Sequence, residues 1–269
     1  MTRITAWRRH PLARYAVLIL ALALVGMVYA AFFQAGRPAD ASLAAGKVDD
    51  VAEGRSLFVQ HCSSCHGLNG EGTNTAPTVI GVGAAAVDFQ VSTGRMPAAN
   101  PGPQAPRKPQ APWVTEDAIR QLGAYVQSLG GGPQAPAAEQ VDPKQGDPGR
   151  GGELFRANCI QCHNWAGAGG ALTQGKYAPN LNSASPTQIY EAMATGPQAM
   201  PVFNDTTITP EEKRDMIAYI THVRDQQDPG GFGLGRIGPV TEGLVAWVAG
   251  LSALVLAAIW ITAKKRQKS

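Results

Sequence analysis

The pattern Cys-x-x-Cys-His occurs twice in this chain, in "HCSSCHG" (residues 61–67) and in "NCIQCHN" (residues 158–164). Cys62, Cys65, Cys159 and Cys162 are the only cysteines among 269 residues, so none is left for a separate disulfide framework. Three chemistries use such a close cysteine pair. Structural zinc takes four ligands, usually from two knuckles, and pooling these four would tie together two stretches that each read as folding alone. A thioredoxin-like dithiol sits beside a strand–helix–strand pattern, and no convincing run of alternating strands is found. A histidine directly after the second cysteine is the pattern of c-type haem attachment. Two thiols add across the two vinyl groups at one edge of the macrocycle, and the adjacent imidazole swings beneath the iron as proximal ligand. The expected cofactors are therefore two covalently attached haem c groups. Cys62 and Cys65 would hold one, with His66 on its iron, and Cys159 and Cys162 the other, with His163.

These motifs belong to a longer internal repeat. "GRSLFVQHCSSCH" from Gly54 parallels "GGELFRANCIQCH" from Gly151, with Cys159 following Cys62 by 97 residues. "STGRMP", ending at Pro97, answers "ATGPQAMP", ending at Pro201. Each copy reads as a short helix, CxxCH, a loop bearing Met-Pro, and a closing helix. Thr115 can cap the first closing helix, with Ile119, Leu122, Val126 and Leu129 on one face at helical spacing. Thr209, Pro210 and Glu212 make a capping-box start for the second, whose face carries Met216, Ile217, Ile220 and Val223. The Gly/Pro-rich stretch 130–149 is the linker. It is expected to sustain neither helix nor central strand and, as a coil, to span roughly 25 Å. Residues 97–112 interrupt the repeat symmetry and are expected to be a surface insertion without a role, with a docking loop as the alternative.

A methionine opposite the histidine raises a haem's potential and closes its iron to substrates. Met96 lies thirty residues after His66, and Met200 lies thirty-seven after His163. Each precedes a proline in a loop, where a helical core stripe does not account for it, so both are expected as axial iron ligands. Met193 and Met216 on helices, and Met27, are read as apolar filler. His10, His61 and His222 are read as having no role at an iron. The carbonyls of Pro77 and Pro179 lie at similar distances beyond each CxxCH. Each is read either as the acceptor for the proximal imidazole N–H or as a plain turn proline.

Charge and hydropathy place the chain at a membrane. The net charge is +3, but four arginines in the first fourteen residues and four basic residues in the last six contribute +8, so the rest sums to −5. A mildly acidic body is a poor nucleic-acid binder. Residues 15–33 and 244–263 are uncharged and long enough to span a bilayer. Both have their basic residues on the terminal side, which puts both termini in the cytoplasm and everything between them outside. A cleaved signal peptide is the rival reading of the first span, and "ADA" at residues 39–41 would be its cleavage site.

These parts resemble the cytochrome c superfamily, present twice. In that family the helix before CxxCH crosses the closing helix through a glycine and an aromatic. Gly54, Phe58 and Tyr125 match this in the first copy, and Gly151, Phe155 and Tyr219 in the second. With "FQVSTGRMPA", "GGALTQGKYAPNL" and "GPQAMPVF", the whole resembles the di-haem cytochrome c subunit of the actinobacterial cytochrome bcc complex.

The resemblance implies a mainly α fold, with two tandem cytochrome c-like domains between N- and C-terminal transmembrane helices. The expected boundaries are residues 1–14 for a basic tail, 15–33 for a span, 48–130 for domain 1 and 131–147 for the linker. Domain 2 follows at 148–228, the second span at 244–263 and a basic tail at 264–269. It also implies an electron-transfer subunit of a quinol–cytochrome c reductase in the plasma membrane, with no small-molecule substrate of its own. Its partners would be the Rieske iron–sulfur subunit, the cytochrome b subunit and cytochrome c oxidase, and electrons would pass from the Rieske centre to the oxidase copper. A free-standing anchored di-haem carrier is the nearest alternative. A di-haem peroxidase would need one open sixth site, against which the two Met loops speak.

Overall fold

The structure, a computed structural model, describes residues 15, 18–25, 27, 39–99, 102, 104–226, 233–236 and 239–266. It divides into two compact units, residues 1–52 and 53–269. In the first unit, residues 18–25 are helical with exposed apolar side chains. The remainder of the expected first span, apart from residues 15 and 27, lies outside the described residues, as do residues 1–14 and 267–269 of the basic tails.

The chain is mainly helical. Helix α1 (Ala39–His61) leads to the one-turn α2 (Ser63–His66), followed by α3 (Gly83–Ser92) and the closing helix α4 (Glu116–Ser128). After α5 (Ala138–Val141) come α6 (Pro148–Asn158), the one-turn α7 (Ile160–His163), α8 (Pro186–Thr195) and the closing helix α9 (Pro210–Asp225). Helix α10 (Pro239–Arg266) ends the described chain. A two-residue antiparallel pair, Gly170–Ala171 with Tyr177–Ala178, is the only sheet among the described residues. Among those residues one helix is long and apolar enough to cross a membrane, over Val240–Ala263.

The caps follow local chemistry. The Thr115 side chain accepts from the Ala118 N–H. Thr209 and Glu212 exchange side-chain bonds with each other's backbone N–H groups, which satisfies two of the donors a helix start leaves over. Each closing helix then crosses the helix before its CxxCH at a glycine. A Cβ on Gly54 would overlap the Gln121 carbonyl, and one on Gly151 would overlap that of Asp215. Beside each crossing an aromatic pair packs: Phe58 on Tyr125 and Phe155 on Tyr219, both with ring centroids 5.3 Å apart. On α4 the buried residues are Ala118, Leu122, Gly123, Tyr125 and Val126, with Ile119 and Leu129 only partly covered. On α9 all four expected apolar residues are buried, Met216 and Ile217 completely.

Two expectations need correction. The linker is not a structureless coil. It holds α5 and a 3-10 turn at Pro143–Gln145, capped by Gln140 and Asp142 side chains. Gln140 also reaches the Tyr190 hydroxyl, and Arg214 reaches the Glu139 carbonyl, so tertiary partners override the poor local propensity. Within the 97–112 insertion, residues 104–107 are not a detached surface loop either. Gln104 exchanges two hydrogen bonds with the Tyr177 backbone, Arg107 donates to the Ser183 carbonyl at 2.8 Å, and the Ala105 carbonyl accepts from Gln198. Helices α3 and α8 pack on each other alongside it. The two CxxCH segments are thereby fixed together over residues 53–226.

Candidate functional site

Each CxxCH is built the same way. The preceding helix ends at the first cysteine, and a single turn carries the pattern to its histidine. The backbone N–H of His66 bonds to the Cys62 carbonyl at 3.0 Å, and that of His163 to the Cys159 carbonyl at 2.9 Å. That turn brings both thiols and the imidazole to one side. His66 Nδ1 lies 2.8 Å from the Pro77 carbonyl, and His163 Nδ1 lies 3.1 Å from the Pro179 carbonyl. A carbonyl only accepts, so Nδ1 carries the proton and Nε2 keeps a free lone pair for a metal. Burial lowers the pKa of His163, against the opposing bond to Pro179, and holds its imidazole neutral.

The thiols are poorly suited to dithiol redox chemistry. All four are free. Burial, then the neighbouring Cys65, pushes Cys62 up to about 11, and burial with Cys162 does the same to Cys159. A reactive dithiol needs the opposite shift. Nor do the cysteines pool. No group of three or more His, Cys, Asp or Glu side chains able to hold a metal ion forms among the described residues.

In the second segment a cavity of about 480 Å³ has Cys159, Cys162, His163 and Met200 in its lining. Phe155, Ile189, Met193, Met216 and Ile220 supply apolar lining from its core. An apolar slot with two thiols at its edge, a neutral imidazole and a thioether fits a macrocycle carrying iron, at a size common for ligand sites. In the first segment Met96 is partly buried on the loop after α3, where its N–H bonds to the Gln90 carbonyl at 2.9 Å. His66 is also partly buried. His61 stacks on Trp113 at 4.0 Å, and exposed His222 lies beside Gln226, so neither joins a CxxCH site.

The second cavity also has a wall that sequence reasoning missed. Phe89, Thr93, Arg95, Gln104 and Arg107, all from the first segment, line it. The one signal available was Arg95 standing before Met96 where the second copy has Ala199 before Met200. Arg95 is 9% exposed, with its guanidinium 4.8 Å from the centre of the Phe89 ring. Burial, then the charge of Arg107, lowers its pKa.

Comparison with known proteins agrees with this chemistry. The family model described as "Cytochrome c" matches residues 51–130, and that described as "Cytochrome C oxidase, cbb3-type, subunit III" matches residues 146–220. Cytochrome c domains carry covalently bound haem c and transfer electrons. The cytochrome bc1 complex cytochrome c subunit of Mycobacterium tuberculosis is 43% identical over 262 residues, 95% of this chain and 92% of the relative. Those of Corynebacterium efficiens and Mycobacterium leprae are 44% and 46% identical, covering 82% and 78% of this chain and 80% and 74% of the relatives. The chain belongs to the family of cytochrome bc1 complex cytochrome c subunits.

Proposed function

We propose that the chain is a membrane-anchored di-haem cytochrome. It would relay electrons from a Rieske iron–sulfur protein to the copper centre of a terminal oxidase, within an assembly that includes cytochrome b. The observation that carries this reading is the meeting of Cys159, Cys162, His163 and Met200 in one apolar cavity, with the same CxxCH geometry repeated at Cys62, Cys65 and His66. When bound, haem c supplies a one-electron iron couple.

The chain's own residues do the rest. Cys62 and Cys65, and Cys159 and Cys162, would hold one group each by thioether bonds, each thiol adding its sulfur to one vinyl carbon and its hydrogen to the other. His66 and His163 would offer Nε2 to the iron, held in that tautomer by the Pro77 and Pro179 carbonyls. Met96 and Met200 would each supply a thioether ligand, and at the second site the apolar lining would exclude water, favouring the less charged reduced state. The two domains are residues 48–130 and 148–228, in tandem. Spans at 15–33 and 244–263 would leave both termini in the cytoplasm and both domains on the outer face of the plasma membrane. The order Rieske centre, first domain, second domain, copper follows from the family likeness. The ordered linker and the Gln104–Tyr177 contact support a fixed relay rather than a swinging tether.

The test uses the isolated reductase–oxidase assembly. It should consume oxygen with a menaquinol analogue and no added soluble cytochrome c. Replacing Cys159 and Cys162 by Ala should stop that flow while the first domain stays reducible by quinol. A requirement for an added soluble carrier would favour a free-standing carrier instead.

A further inference from the structure

The wall that the first segment contributes to the second cavity has a charge pattern of its own. Among the described residues lining that cavity, the formal charges are two guanidinium groups, Arg95 and Arg107, and no carboxylate. Both come from the first segment. Neither has an ion pair among the described residues. Arg107 donates one N–H to the Ser183 carbonyl at 2.8 Å, and no hydrogen bond to Arg95 is found there. Arg95 is more than nine-tenths buried, and its one described cationic contact is the Phe89 ring.

A buried cation such as Arg95 is costly unless it meets an anion, and Arg107, which is exposed, adds a second positive charge to the same cavity lining. Guanidinium is suited to carboxylates because its planar fork donates two parallel hydrogen bonds. The group that fits the rest of the cavity brings two carboxylates, its propionates, on the edge away from the thioether bonds. The two guanidiniums, buried Arg95 and exposed Arg107, therefore match two carboxylates in number and with opposite sign.

We infer that Arg95 and Arg107 reach out of the first domain to bind the propionates of the second domain's haem, making residues 104–107 part of that haem's pocket. This inference rests on the haem reading above. Its consequence is that the second site is complete only when the first domain is docked on it. Gln104, Ala105 and Arg107 hold the strap in place through Tyr177, Gln198 and Ser183. Arg95 has a further position of interest: its backbone precedes Met96, the expected ligand of the first iron, while its side chain faces the second cavity.

The experiment is a spectroscopic redox titration of the full chain carrying Arg107→Gln, Arg95→Gln, or both. Met200→Leu serves to assign the second midpoint, and covalent haem is counted by mass in every sample. Removing positive charge beside the propionates disfavours the reduced, less positive iron. The double variant should shift the second haem's reduction equilibrium at least tenfold toward the oxidised form, about 59 mV for one electron. Arg107→Gln should leave the first midpoint in place, and Arg95→Lys and Arg107→Lys should recover part of the loss. An unchanged second midpoint with two haems attached overturns the propionate assignment and leaves the haem reading standing. So does an equal fall at both haems in Arg107→Gln. Fewer than two haems on the unmodified chain overturns the haem reading itself, and this inference with it.

Discussion

Glu191 on α8 and Asp88 on α3 place two carboxyl groups together where the two CxxCH segments pack. Glu191 has no exposed surface, and no ordinary donor reaches either of its oxygens. With no donor to stabilise a charge there, the Glu191 carboxyl keeps its proton. Burial, then the nearby Asp88 charge, pushes Glu191 up to about 9. Burial also raises Asp88, against hydrogen bonds to Glu191 and Ser92.

A pH dependence of stability follows. The unfolded chain releases the Glu191 proton near the ordinary 4.5, while the folded chain holds it to about 9. Between those values the folded state binds more protons, so stability falls as pH rises and levels off above the upper value. Thermal melting of the full chain should show this slope, and Glu191→Gln, which stays neutral, should flatten it. Stability that is level or rises across that window in the unmodified chain contradicts a Glu191 that stays protonated in the fold.

The two helix crossings predict an inverted response to alanine. Gly to Ala inside a helix ordinarily gains up to about 1 kcal/mol. At Gly151 a Cβ would overlap the Asp215 carbonyl and sit 2.8 Å from the Met216 nitrogen. At Gly54 it would overlap the Gln121 carbonyl and sit 2.9 Å from the Tyr125 Cβ. Gly151→Ala and Gly54→Ala should each cost about 1–3 kcal/mol or more, because the backbones must separate. Gly102→Ala, with nothing within 4 Å, is the control. Melting temperatures check this, and a neutral or stabilising Gly151→Ala removes the close crossing from the account.

Axial ligation predicts a paired spectroscopic result. Met200 shares the cavity of His163, and Met96 is partly buried in the first segment. Met200→Leu should lower the potential of one haem and let carbon monoxide bind that iron, and Met96→Leu should do so at the other. Redox titration and carbon monoxide difference spectra read this directly. Variants that keep both potentials and exclude carbon monoxide assign the sixth ligand elsewhere.

What was legible in the sequence is what local chemistry encodes. CxxCH is contiguous, and the Thr209–Glu212 box and the Thr115 cap lie within four residues, so they read directly off the chain. Helix α3 was not legible. Its "GAAAVDFQVS" is apolar nearly all round and offers no amphipathic period. The ordered linker depends on Tyr190 and Arg214, fifty or more residues away in the chain. Arg107–Ser183 and Asp88–Glu191 join segments 76 and 103 residues apart, and such pairings leave no periodic trace. The composite second pocket was invisible for that reason, although Cys159, Cys162, His163 and Met200 were legible as its site residues.

The central claim is that each CxxCH holds its own haem, and the most direct measurement is the intact mass of the denatured full chain. The account predicts two haem additions on the unmodified protein. One should be lost when Cys62 and Cys65 become Ala, the other when Cys159 and Cys162 do, and both when all four are replaced. A single addition, or none, on the unmodified chain would contradict it.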